Sequence, residues 1–367
     1  MNIVKLVFAF IFSLSTIINP FIQFAFHGGI DSYFDKWSKD DKFTSDYAVE
    51  LKKDPNKDFV ILNLADIQLG AEKVFREEGE YTEKLIRQAI EEVKPDLITL
   101  TGDNSLSAVG YIELIKLLDS YKIPWAPIMG NHDGDNGNRI LEAWDSYLLS
   151  DSEYCLFKFG PENMGYGNYI INITENGQII HTLFMMDTHS DADDTEYGTI
   201  NYGKNADGTD NIGYDHLWAN QIEWYSWGVK GVAALAGKTV ESTVFTHIPN
   251  IEYRTARDLM CDNVNDEWVL KDEYKDKGFG SLKEGVCSPE GNNGFFSTVL
   301  ELGSTKNIIS GHDHKNDLCL NYMGVNLNYA KKTGHGSYYT DDKMGTSILT
   351  INSEGHATFS HHPYTAE

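Results

Sequence analysis

Five short apolar runs punctuate this chain, and each stops abruptly on an Asp, Asn or His. DFVILNLADIQLG predicts a strand over Phe59–Ala65 that ends at Asp66. KPDLITLTGDN predicts one over Leu97–Thr101, ending at Gly102-Asp103. IPWAPIMGNHD gives Ala126–Met129, ending at Gly130-Asn131-His132. ESTVFTHIPN gives Thr243–Thr246, ending at His247, and TKNIISGHDHKND gives Asn307–Ser310, followed by Gly311-His312-Asp313-His314. Between the first two runs, Leu85, Ile86, Ala89, Ile90 and Val93 recur at helical spacing over Tyr81–Val93, with Pro95 after them. Between the second and third, Ile112, Ile115, Leu117 and Leu118 predict a helix over Tyr111–Tyr121. Strand, helix, strand, helix, strand makes right-handed crossovers and a largely parallel sheet. Such sheets bind their ligands at the carboxyl ends of the strands.

The period then changes. YIINITENGQIIHTLFMMD alternates around Asn176-Gly177, a hairpin signal. DHLWANQIEWYSWGVK reads as a helix whose Leu217, Ile222 and tryptophans face a core. From Leu318 to Phe359, further strand-like runs predict a second sheet. No linker tract or internal repeat divides the chain, so one large domain over residues 57–367 is expected, with a lead-in over 27–56.

Composition narrows the class. Of 367 residues, 41% are hydrophobic and 12% aromatic, enough to build a substantial core. Asp and Glu outnumber Lys and Arg by 55 to 30, a net charge of −25. That surface repels nucleic acid and anionic membranes, which are bound mainly through basic residues. An anionic substrate would need local cations to overcome the field. The first 26 residues carry one charge, Lys5, before the apolar run Leu6–Leu14, the layout of a secretory signal peptide. Retention as a membrane anchor is the alternative, and Ser13, Ser15, Thr16, Asn19, Pro20 and Gln23 make the segment a poor span. The expected destination is outside the cell or in the lumen of the secretory or lysosomal pathway. Cys261 and Cys287 share one polar segment and are the expected disulfide pair; buried free thiols are the alternative for all of Cys155, Cys261, Cys287 and Cys319. Asn172-Ile-Thr174 is a glycosylation sequon, usable only if exposed, and a glycoprotein is expected on that condition.

The strand endings share a chemistry. Asp66 and Asp103 offer carboxylate oxygens, Asn131 an amide oxygen, and His247, His312 and His314 imidazole nitrogens. Mixed nitrogen and oxygen donors without cysteine suit Zn, Mn or Fe rather than an all-oxygen Ca²⁺ cage. These donors are too many for one tetrahedral ion and fit two ions sharing a carboxylate. Two ions ~3.5–4 Å apart can clamp an in-line displacement at phosphorus and hold a hydroxide as nucleophile.

The ordered blocks ADIQ, TGDN, MGNHD, FTHIP and SGHDH resemble those of the calcineurin-like metallophosphoesterases over about Phe59 to Asn316. QIEW, HIPNIEY, NNGFF and GHDHKNDLC…KKTGHGSYY are similar to the purple-acid-phosphatase-related branch. The resemblance implies a four-layer α/β/β/α sandwich with two packed mixed sheets and a binuclear metal site. It implies Asp66, Asp103 and His314 around a first ion, and Asp103, Asn131, His247 and His312 around a second. It implies that His132 takes no metal but contacts the phosphoryl group and can protonate the leaving oxygen. Two positions depart from the pattern. Gln68 stands where the family has a histidine, and would reach the first ion only through its amide oxygen. Leu106 stands where relatives place a metal-binding Tyr or an Asp that supports the catalytic His.

The expected activity is therefore hydrolysis of phosphate monoesters on a small phosphorylated substrate, with two metal ions (Fe, Zn or Mn). A phosphodiesterase on nucleotides or phospholipid head groups is the alternative within the same chemistry. There the acidic segment 191–215 and the segment 252–296, with Arg254 and Arg257, would shape the site. A non-catalytic metal-binding protein is the alternative that Gln68 and Leu106 motivate.

Overall fold

A computed structural model describes residues 30–70, 77–133, 139–190 and 213–364. The N-terminal run 1–26, Gly134 and most of the acidic segment lie outside the described residues.

The first sheet has the strand order β16-β15-β2-β3-β4. It is built from β2 (Phe59–Leu64), β3 (Leu97–Thr101), β4 (Trp125–Ile128), β15 (Gly345–Ile351) and β16 (Ala357–Pro363). β2, β3 and β4 are parallel, joined by α1 (Glu77–Val93) and α2 (Ala108–Asp119), so the predicted crossovers are present. α3 (Arg139–Ser150) follows β4. The second sheet has eight strands in the order β1-β5-β6-β7-β12-β14-β13-β10. These are β1 (Ala48–Lys52), β5 (Tyr169–Glu175), β6 (Gln178–Met185), β7 (Glu241–Thr246), β10 (Gly278–Phe279), β12 (Thr305–Ser310), β13 (Cys319–Tyr322) and β14 (Val325–Tyr329). β6, β7, β12 and β14 run parallel to one another. A small sheet of β8 (Cys261–Val264), β9 (Glu267–Leu270) and β11 (Ser281–Leu282) lies apart in the order β11-β9-β8.

Alternation along the strands builds the layers. Ile171, Met185, Phe245 and Ile309 join the core of the first sheet, together with Ile86 and Ile90 of α1 and Leu114 and Leu118 of α2. Their neighbours Ile170, Phe184, Val244 and Ile308 point the other way. There they pack with residues of α4 (Ala219–Ala236), α5 (Ile251–Met260) and α6 (Phe295–Leu302). Both faces of the second sheet are thus buried, which is why its strands read as near-continuous apolar runs. The result is helices, sheet, sheet, helices. As expected, Leu217 and Trp224 are core residues.

Three expectations need correction. The strands after Leu318 do not form a sheet of their own. β13 and β14 extend the second sheet, whereas β15 and β16 complete the first by pairing with β2. Cys261 and Cys287 are not bonded, and all four cysteines are free. Asn172 is no exposed sequon: it is buried in β5, between Glu50 of β1 and Thr182 of β6, and its side-chain oxygen accepts from the Thr182 hydroxyl at 2.9 Å.

Candidate metal centre

The two sheets meet at the carboxyl ends of their parallel strands, and the ligand-like residues gather there. Asp66 and Asp103 follow β2 and β3 in the left-handed region, at φ of 52° and 49°. Non-glycine residues rarely adopt this backbone, and it recurs at functional sites. Paired backbone bonds hold it: Asp66 N–H donates to Gly102 O at 3.2 Å and Gln68 N–H to Asp103 O at 2.8 Å. The glycines permit the close approach. A Cβ on Gly102 would lie 2.6 Å from His247 Nδ1, and one on Gly311 would lie 2.7 Å from Asp66 Oδ2. One on Gly130 would collide with the backbone nitrogen of Asp103.

Hydrogen bonds fix the histidine tautomers. His247 Nδ1 lies 2.8 Å from Thr101 O, and a carbonyl can only accept, so Nδ1 carries the proton. That leaves Nε2 facing Asn131 Oδ1 at 2.8 Å, His312 Nδ1 at 3.2 Å and Asp103 Oδ1 at 3.3 Å. His314 Nδ1 likewise donates to Tyr338 O at 2.8 Å, and its Nε2 faces Asp66 Oδ1 at 3.5 Å. Asp66, Asp103 and His314 can each offer a donor atom within 4.8 Å of the others. Two clusters of lone pairs, one on each side of Asp103, thus point at each other with few protons between them. A cation resolves such a conflict, so these residues fit a metal centre of mixed nitrogen and oxygen donors. Burial works against charge on Asp66, but His314, His247 and Lys332 outweigh it and hold its carboxyl well below the usual range. Burial also opposes protonation of His247, yet Asp103 and Asp66 raise it; burial and His247 push His312 well down.

All of Asp66, Asp103, Asn131, His247, His312 and His314 come together as expected. His132 sits at their edge, half-buried, its backbone N–H donating to Asp103 Oδ1 at 2.8 Å. Leu106 is turned outward and 41% exposed. Arg254 pairs with Glu290 at 2.9 Å, and Arg257 lies over the Trp268 ring at 4.7 Å.

Gln68 is buried and faces two partners. Its Nε2 donates to Asp103 Oδ2 at 3.0 Å and its Oε1 accepts from Lys332 Nζ at 3.3 Å. An ammonium can only donate and a carboxylate can only accept, so both neighbours impose the same amide orientation.

Three residues at the site have no role assigned by the sequence reading. Asp133 is fully buried and accepts from Asn104 N–H (2.8 Å), Ser105 N–H (3.0 Å), Gly130 N–H (2.8 Å) and Asn104 Nδ2 (2.9 Å). It ties the loop after β3 to the loop after β4. Burial, and then Asp103, push its carboxyl up to about 7. Four N–H donors favour its ionised form, and the Tyr111 hydroxyl is a fifth hydrogen-bond partner. Asp187 ends β6 as the other Asp and His residues end their strands. It accepts from His189 N–H at 2.8 Å, while Thr188 accepts from Ile248 N–H at 3.0 Å, next to His247. Lys332, just past β14, is 1% exposed and donates to Asp66 O at 2.6 Å; burial draws its ammonium down to about 8. LFMMD carries the same signal as the five runs, an apolar stretch stopping on Asp. Lys332 lies within KKTGHGSYY, a string the resemblance includes, but the sequence assigns it no role.

Comparison with known proteins identifies the family. A family model described as calcineurin-like phosphoesterase matches residues 59–316. Phosphatase DCR2 of Saccharomyces cerevisiae is 30% identical over 299 residues, which cover 74% of this chain and 47% of that protein. Probable inactive purple acid phosphatase 14 of Arabidopsis thaliana is 28% identical over 287 residues, 70% of this chain and 63% of that protein. The chain therefore spans about half of the yeast relative and less than two thirds of the plant one. A dimetal phosphatase from Danio rerio superposes on 83% of this chain and 98% of its own, at 12% identity and a TM-score of 0.48. Since the family match covers more than half of the chain, from the first residue of β2 to just past His314, this chain belongs to the calcineurin-like phosphoesterase family.

Proposed function

We propose that the chain hydrolyses phosphate monoesters at a two-metal centre. The observation that carries this is the convergence of lone pairs on both sides of Asp103. Asp66, Asp103 and His314 would hold one ion, and Asp103, Asn131, His247 and His312 the other. Gln68 falls outside the ligand set, because its oxygen faces Lys332. Fe, Zn or Mn bound there supplies Lewis acidity and an activated water for in-line attack at phosphorus. The protein's own part is orientation. Thr101 O and Tyr338 O fix the tautomers of His247 and His314, Asp133 locks the two ligand loops together, and His132, whose backbone N–H is anchored on Asp103, would meet the phosphoryl group and protonate the leaving oxygen. With a surface at −25, the centre is also what draws an anionic substrate. Chain reconstituted with Mn²⁺ should hydrolyse an aryl phosphate, and Asp103→Asn and His247→Ala should each abolish turnover. Near-normal rates in both variants would sink the proposal, and turnover of an aryl diester alone would move it to a phosphodiesterase.

A non-catalytic reading is supported by Gln68 and by relatives whose names call them inactive. It expects metal uptake and phosphate binding without turnover. From residues 1–26 we also infer entry to the secretory pathway, which N-terminal sequencing of the mature protein tests.

A further inference from the structure

Lys332 is the unexplained residue of this centre. It lies at the carboxyl end of β14, where the chain crosses from the second sheet to the first: its backbone bridges to Ala65 just past β2, and Gly345 N–H donates to its carbonyl at 2.9 Å. The side chain is enclosed. Burying an ammonium is costly unless charge compensates it. Its direct partners, Asp66 O at 2.6 Å and Gln68 Oε1 at 3.3 Å, are neutral oxygens. The acids whose charge acts on it are Asp66, Asp103 and Glu284, and the first two are shared with the metal centre.

We propose that Lys332 is a resident counter-charge of the first metal position, stabilising the metal-free centre beside Asp66 and Asp103 and weakening the binding of the first ion. This rests on the reading of Asp66, Asp103 and His314 as a metal position. Two effects act together. The ammonium's charge acts on the same two carboxylates that a divalent ion would engage, so each cation weakens the attraction for the other. Lys332 also fixes Gln68 with an N–H toward Asp103 Oδ2, where a ligand would have to present a lone pair. One coordination position is thus given over to a donor. Lys332 is therefore a positioning residue, acting through Gln68 and the carboxylates.

The test uses the full chain, stripped with chelator, as wild type and as Lys332→Gln and Lys332→Met. Mn²⁺ binding is followed by calorimetry, and the unfolding midpoint is measured with and without Mn²⁺. Wild type should bind two ions unequally. In both variants the weaker step should tighten about tenfold; the metal-free midpoint should fall, and saturating Mn²⁺ should restore most of it. A lysine that served packing alone would lower the midpoint equally in both conditions and leave the weaker step unchanged or looser, and that result overturns the proposal. So does failure of both variants to fold even when expressed with Mn²⁺, since a metal ion should then have replaced the lost charge. If wild type itself binds no Mn²⁺, the metal-centre reading fails first. If wild type binds and the variants match it, only the role of Lys332 fails.

Discussion

Replacing Asp133 with Asn changes one atom in the joint between the two ligand loops. The native carboxylate uses Oδ1 for the N–H groups of Asn104 and Ser105, and Oδ2 for Gly130 N–H and Asn104 Nδ2, all between 2.8 and 3.0 Å. An Asn amide can face only one of these pairs with its oxygen, and its NH₂ group then opposes the other two donors. Two buried N–H groups lose their acceptor, each at about 1–3 kcal/mol. We expect Asp133→Asn to destabilise the metal-free protein by about 3 kcal/mol, a large part of a typical stability of roughly 5–15 kcal/mol. Urea unfolding in chelator, followed by tryptophan fluorescence, measures it. Asp103 and Asn131 belong to the loosened loops, so Mn²⁺ affinity should drop as well. The reasoning is refuted if the variant unfolds within about 1 kcal/mol of wild type. That outcome would mean the native carboxyl already carries a proton, which the amide merely imitates.

The other expectations concern backbone, pH and thiols. Gly102→Ala should cost about 2 kcal/mol and weaken the second metal position, because Gly102 sits at φ +82° and the new Cβ would meet His247 Nδ1 at 2.6 Å; wild-type metal affinity in the variant would count against it. Burial lowers His181 and His361 to about 4 from 6.5. Since folding depresses both values, their neutral forms stabilise the protein above pH 6.5, and this is lost as pH falls toward 4, by up to about 3 kcal/mol each. Unfolding free energies between those pH values check this, and a flat profile in that window refutes it. The denatured chain without reductant should expose four reactive thiols to a thiol reagent, since all four cysteines are free; two would mean a disulfide.

Local signals carried most of this architecture. The predicted strand over Leu97–Thr101 matches β3, and the other four runs match within two residues at either end, because a buried strand must be apolar throughout and the ligand loop must not be. Which sheet a strand joins is not written locally. β15 is an ordinary alternating run, and its partner β2 lies near the other end of the chain. The ligands were legible because metal binding restricts residue types and the glycines mark where backbones touch. Lys332 stands in a string that the resemblance covers, but its role was not legible, because only the path of the chain past β14 encloses it. Asn172 failed in the opposite sense: its sequon is local, but its burial follows from β1 and β6 pairing on either side.

The pairing of β2 with β15 also sets an order of events during synthesis. Phe59 finds its neighbour Ile351 only after the long intervening stretch of chain has left the ribosome. Until then β2, which later carries Asp66, has one hydrogen-bonding edge without its native partner, and such edges recruit other strands. Contacts so distant in sequence also form slowly. The nascent protein should therefore depend on chaperones late rather than early. Translation arrested just before Gly345 should yield chains that remain chaperone-bound, while release of the last two strands should free them.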